Sequence, residues 1–225
     1  MKYYAEVHPR ITANISFLRG LSQYDGFNIP DSPMGSPAPS PLAAACLIRR
    51  VYEDKEIVIN QRLLDVNELH LISIAQGASM LNLSIALTRG DEPKVGRAVG
   101  YLTSEEALKV IKGAVKGIKV GLMVSLRYPK ESIKARLSLG ADFYLVLRMG
   151  SVDDLDGLDA SRLIPYVLVA TDRNRGILRR INQPYFELRD LGQVFARLRE
   201  KGVLGVIVSA PGDHEALVSA VRYFA

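Results

Sequence analysis

A chain of 225 residues, 48% hydrophobic and 24% charged, has the balance of a globular protein with one large core, which sets aside disordered and fibrous classes. No apolar run approaches the ~18 residues needed to span a bilayer, so no membrane partner is expected. The net charge of +5 is spread over several segments; its densest pairs, Arg49 with Arg50 and Arg179 with Arg180, lack the interleaved aromatics of a nucleic-acid platform, so no nucleic-acid partner is expected either.

From the N-terminus, MKYYAEVHP enters strand-like sequence at once, with no apolar signal core, and the expected location is the cytoplasm. Short β-rich runs then alternate with helical patterns. The strands are read at 3–7, 26–30, 57–61, 83–87, 120–125, 142–147, 165–170 and 205–209. Helical stretches are read at 13–23, 41–53, 67–81, 103–116, 130–139, a weak one at 153–162, then 175–181, 191–201 and a closing one at 214–224. Thr103 with Glu106 spells a capping box, and Gly140 stops the helix before it. The lone Cys46 sits among alanines in a helical pattern and is expected to be a small core residue. Eight βα units predict a single (β/α)8 TIM barrel over residues 1–225, whose chemistry belongs at the carboxyl ends of the strands. The alternative is a doubly wound sheet. Against it, the first strand runs into EVHPR and lacks the GxGxxG phosphate turn.

The segment 29–41, IPDSPMGSPAPSP, interrupts the rhythm after the second strand; it reads either as a rigid linker or as a loop that covers a ligand. In 85–96, IALTRGDEPKVG, an apolar strand suited to burial on both faces runs directly into a hydroxyl, a guanidinium, a glycine and a carboxylate. Groups at the strand ends include Glu6, His8, Asp31, Asn60, Gln61, Thr88, Arg89, Asp91, Ser125, Arg127, Tyr128, Arg148, Thr171, Asp172 and Ser209. Glu6 stands out. It interrupts an otherwise apolar strand, where burial would raise its pKa and suit a proton donor. Asp91, after Gly90, also reads as an ordinary turn residue. His8, His70 and His214 show no metal-binding spacing, so no metal site is expected, and no GxSxG elbow or Walker loop is present.

YAEVHP, IPDSPMGSP, IALTRGDEPKVG and IKARLSLGADF occur in an order that resembles the methylenetetrahydrofolate reductase family, as a short, divergent member. The resemblance implies a flavin, FAD or FMN, at the carboxyl end of the barrel. It implies reduction of that flavin by NAD(P)H or another donor, and hydride transfer to the methylene carbon of a tetrahydrofolate or related pterin. The resemblance thus implies an oxidoreductase of one-carbon metabolism serving methionine biosynthesis. Glu6 would be the acid that assists opening of the methylene bridge, and Asp91 the carboxylate beside flavin and pterin. Thr88, Arg89 and Gly90 would lie along the flavin, with Asp31, Asn60, Ser125 and Tyr128 as further cofactor contacts. Three departures motivate an alternative. Asn60 stands where the family has a histidine, Leu147 where it has a glutamine, and the segment between Tyr128 and Ile133 is shortened. The alternative is a non-redox barrel that binds a pterin or C1 carrier, methyltransferase-like or a regulatory subunit. For assembly, a homo-oligomer or a partner redox subunit are the open options.

Overall fold

The computed structural model describes residues 1–224; residue 225, the last of the expected domain span, lies outside the described residues. The chain alternates strand and helix through most of its length. It runs β1 (Lys2–Glu6), α1 (Ile15–Arg19), β2 (Gly26–Ile29), α2 (Pro41–Arg49), β3 (Glu56–Arg62), α3 (Glu68–Met80), β4 (Ser84–Thr88) and α4 (Ser104–Ala114). It continues through β5 (Val120–Ser125), α5 (Lys130–Leu137), β6 (Phe143–Leu147), β7 (Leu163–Ala170), α6 (Arg175–Ile181), β8 (Phe186–Glu187), α7 (Leu191–Glu200), β9 (Gly205–Ser209) and α8 (Glu215–Ala220).

Strands β1 to β7 and β9 pair in parallel and close, since β6 also pairs with β7, and β9 joins β7 to β1. The result is a (β/α)8 TIM barrel, with the two-residue β8 added outside the ring on β7. Such a sheet is buried on both faces, which is why its strands read as continuous apolar runs. One face packs on the helices in a large cluster that includes Phe27, Ile59, Leu87, Leu122, Val167 and Val208. The opposite face fills the barrel centre with Tyr4, Val58, Ala86, Phe143, Leu145, Ile164, Tyr166 and Ile207.

The amino-terminal half of the centre is packed by rings over glycines. A Cβ on Gly26 or Gly205 would come within 2.8 Å of the Tyr4 ring, and one on Gly121 within 2.2 Å of Phe143. Tyr4 points its hydroxyl towards that end, where it donates to the Glu56 carboxylate. The absent side chains make room for aromatic area that an interior of this diameter otherwise could not hold.

Two sequence expectations are corrected. The helix at 153–162 is replaced by two 3-10 turns, Val152–Leu155 and Ala160–Arg162, whose starts are held by the side chains of Ser151 and Asp159. Short polar caps twice restart the backbone there before a full α-turn accumulates. Cys46 is exposed, because α2 turns Pro41, Ala44, Ala45 and Ile48 inward and leaves Cys46 off that stripe. Among the described residues no helix is long and apolar enough to cross a membrane.

Candidate active site

The carboxyl-terminal half of the barrel centre is polar. Glu6 ends β1 beside Asn28 of β2, with which it is in register, and accepts a hydrogen bond from the Ser209 hydroxyl at the end of β9. Burial pushes the Glu6 carboxyl above the usual carboxylate range, and the Ser209 bond opposes this only in part. Beneath it three side chains bond in a ring. The Tyr166 hydroxyl donates to Asn28 Oδ1 at 2.9 Å, Asn28 Nδ2 donates to Asn60 Oδ1 at 2.9 Å, and Asn60 Nδ2 donates to Tyr166 Oη at 3.3 Å. All three residues are buried. Burial, together with the neighbouring Glu6, drives the Tyr166 phenol well above its ordinary value, so it stays neutral.

A second group is built from the loops after β2, β3 and β4, and Arg62 holds it together. Its side chain is 2% exposed and is paired with Asp65 at 2.5 Å. It donates to the Asp91 carbonyl at 2.7 Å, and its main-chain N–H donates to the Asp31 carboxylate at 3.0 Å. Burial pushes the Asp31 carboxyl up, against the stabilising N–H of Arg62. Gly90, at φ 87°, lies over the guanidinium: a Cβ there would come 2.9 Å from it, so the glycine of the TRGD turn is set by Arg62 as well as by its backbone angle. Segment 29–41 is bound into the same assembly. Gly35, at φ 69°, presses on the Glu92 carbonyl, the Lys94 N–H donates to the Gly35 carbonyl at 2.9 Å, and Arg10 donates to the Pro37 carbonyl at 2.8 Å.

A third feature flanks the rim. A groove of about 420 Å³ between α4 and α5 is lined by Ser125, Tyr128, Ile133, Arg136 and Leu139 among others. Ser125 Oγ is buried without a hydrogen-bond partner among the described residues, while the Tyr128 ring is exposed. Arg136 forms one wall, paired with Glu105 at 2.6 Å and bonded to Ser104 Oγ at 2.8 Å.

The expected site residues therefore fall into three places. Glu6 and Asn60 lie in the barrel centre; Asp31, Thr88, Arg89, Gly90 and Asp91 belong to the braced loops; Ser125 and Tyr128 border the groove. The Asp91 and Arg89 side chains are exposed, and the Asp91 carboxylate makes no hydrogen bond or ion pair among the described residues. Reading by residue type missed Asn28, Tyr166 and Arg62. Asn28 in GFNI carried the same signal as Glu6, a polar group interrupting an apolar strand. Elsewhere on the carboxyl-terminal rim, the Thr171 hydroxyl bonds the nearly buried Asp213 at 2.7 Å, and His8 and His214 are both held below their ordinary pKa by burial. Among the described residues no cluster of three or more His, Cys, Asp or Glu is placed to hold a metal ion.

No family model and no curated protein sequence matches the chain. Solved structures do. A class V chitinase from Nicotiana tobaccum, seen both as such and as a mutant in complex with NAG4, superposes with a TM-score of 0.60 at 10% identity, over 100% of this chain and 99% of that one. A 3-hexulose-6-phosphate synthase gives a TM-score of 0.52 at 13% identity over 100% of both chains. At these identities the likeness is one of fold, and the fold they share with this chain is the TIM barrel.

Proposed function

We propose that the protein is a cytoplasmic, flavin-dependent oxidoreductase that reduces a methylene group carried on a tetrahydrofolate or related pterin to the methyl form. The observation that carries this reading is Glu6, a carboxylic acid at the carboxyl end of β1 whose pKa burial raises, as suits a proton donor. The resemblance of 85–96 and of the other motifs to the methylenetetrahydrofolate reductases supplies the reaction.

The groove beside β5 suits a flavin nucleotide. Ser125 and the exposed Tyr128 ring border it, and Arg136 on its wall is already paired with Glu105, which also lines the groove. Bound there, with Thr88, Arg89 and Gly90 along the rim, FAD or FMN would supply the hydride, itself replenished by NAD(P)H or another donor. The chain's own part is acid catalysis and placement. Glu6 gives its proton to the bridging nitrogen of the methylene-pterin, the carbon–nitrogen bond on that side breaks, and the iminium left on the other nitrogen accepts the hydride. Ser209 then stabilises the Glu6 carboxylate until it is reprotonated. The exposed Asp91 carboxylate is free to take the pterin's N–H donors, and the Arg62 brace fixes the turn that carries it.

A second reading follows from Asn60. Its amide is spent within the buried ring, so it offers nothing obvious to a cofactor at the mouth, which favours a barrel that binds a pterin without flavin. Colour separates the two. Purified protein that takes up FAD or FMN and shows the yellow flavin band supports the reductase. Protein that stays colourless with both flavins yet binds tetrahydrofolate by calorimetric titration is the non-redox barrel.

A further inference from the structure

Helices α6 and α7 both follow β7, yet they belong to opposite sides of the sheet. α7 lies outside the barrel, as the helix of a βα unit should: Leu191, Val194, Phe195 and Leu198 all enter the cluster between sheet and helices. α6 does not. Its one buried side chain among the described residues, Leu178, enters the cluster of the barrel centre, and Ile181 packs against that same cluster. The anchors of α6 lie past the carboxyl ends of the strands. At its start, the fully buried Asn174 accepts from the Thr171 N–H at 2.8 Å and donates to the Val169 carbonyl at 2.9 Å. Midway, Ile177 fills the space over Gly212, in the loop after β9, where a Cβ would overlap it. At its end, Arg148, the residue after β6, donates to the Asn182 carbonyl at 2.9 Å. α6 therefore crosses the carboxyl mouth from the β9 side to the β6 side, next to the Glu6–Ser209 pair on β1 and β9.

Little holds it there. A seven-residue helix is too short to persist on its own, and Gly176 lowers its propensity further. The start is pinned twice, by Asn174 to β7 and by the two-pronged pairing of Arg175 with Glu187 at 2.8 Å, whereas the far end depends on the bond from Arg148. Arg148 sits at φ 66°, in the left-handed region that a non-glycine residue occupies only at a cost. We propose that α6 is a lid over the Glu6 site: pivoting at Asn174, it lifts Leu178 and Ile181 out of the barrel mouth to admit ligand, and Arg148 latches it shut. Closed, its apolar face keeps water from the acid; open, it uncovers the β6–β7 side of the mouth. The proposal rests on the reading above for one point, that the ligand meets Glu6 at this mouth.

Amide hydrogen exchange of the full-length protein tests this without flavin or pterin. The helical amides of residues 178–181 should exchange through local opening, at least ~10²-fold faster than those in the middle of α7, where exchange awaits global unfolding. Arg148→Ala keeps the Cβ, and with it the backbone cost, but removes the latch; it should speed exchange in α6 by about three- to tenfold and leave α7 unchanged. Thiol labelling gives an independent reading in a Cys46→Ser background, since Cys46 is exposed. There Leu178→Cys should react with a maleimide in the native protein, and faster again with Arg148→Ala, while Leu198→Cys on α7 stays protected. Exchange in α6 as slow as in α7 overturns the proposal, and so does an Arg148→Ala effect that is absent or equal in both helices. Should Arg148→Ala not fold, the wild-type contrast between the two helices decides. Failure of the protein to bind flavin would sink the reductase reading and leave a moving α6 standing, whereas an immobile α6 removes the lid and leaves that reading to its own test.

Discussion

Tyr4 and Glu6 lie two residues apart on one strand and face the same barrel centre, but they are treated in opposite ways. Tyr4 is packed against Gly26 and Gly205 and sends its hydroxyl to the amino-terminal rim, where Glu56 takes it. Glu6 is in register with Asn28, accepts from Ser209 and is half-buried at the carboxyl-terminal end. Aromatic area thus fills one half of the interior and a satisfied polar network fills the other. In barrels of this kind the first half secures the fold and the second is where chemistry is done.

That contrast can be broken experimentally, starting with its strongest consequence. Phe143→Ala removes a ring that is 4% exposed and for which Gly121 makes room, and it should cost about 3–5 kcal/mol in chemical denaturation. A cost below about 1 kcal/mol would show that the amino-terminal half is not the packed half. Glu6→Gln should leave ligand binding nearly intact while turnover slows by ~10² or more, as for loss of a general acid. An unchanged rate removes Glu6 from the mechanism.

The same variant carries a pH signature. Burial raises the folded pKa of Glu6 above its unfolded value, so the folded state holds the proton more tightly. Glu6 therefore destabilises the fold progressively as pH climbs from the ordinary carboxylate value up to the raised folded one, and the penalty is absent below that window. Plotted against pH, the stability of wild type minus that of Glu6→Gln should fall across the window. Asp31, whose carboxyl is also pushed up by burial, contributes equally to both proteins and cancels. A flat difference would mean that burial does not raise the Glu6 pKa.

Arg62→Lys keeps the charge but cannot reach Asp65 and the Asp91 carbonyl together; a loss of about 1–3 kcal/mol is expected, with weakened flavin uptake if the β4 loop contacts the cofactor. The smallest effect should come from Cys46→Ser, within about 0.5 kcal/mol by thermal denaturation, because the thiol belongs to neither half and is exposed.

The barrel was legible because strands buried on both faces leave apolar runs of even length, and because local signals such as the Thr103 and Glu106 capping box are decided within a few residues; both of its bonds are present. The same double burial hid half of the site. A strand without alternation does not reveal which residues face the centre, so Asn28 and Tyr166 passed as strand residues, and only closure of the sheet brought them together across 138 positions of sequence. Arg62 escaped notice for a related reason, since its partners arrive from three separate loops. The link between β6 and β7 departs from the expected helix at 153–162 because the Ser151 and Asp159 side chains each cap a separate 3-10 turn.

The contact of Gly35 with the Glu92 carbonyl, backed by the Lys94 N–H, has a practical consequence for anyone redesigning this rim. Loops on a TIM barrel are usually exchanged one at a time, each as a cassette hung from its own strand. Here the cassettes after β2 and β4 share main-chain contacts and a common arginine, so they form one transplantable unit. Neither should retain its shape when moved to another scaffold without the other and Arg62.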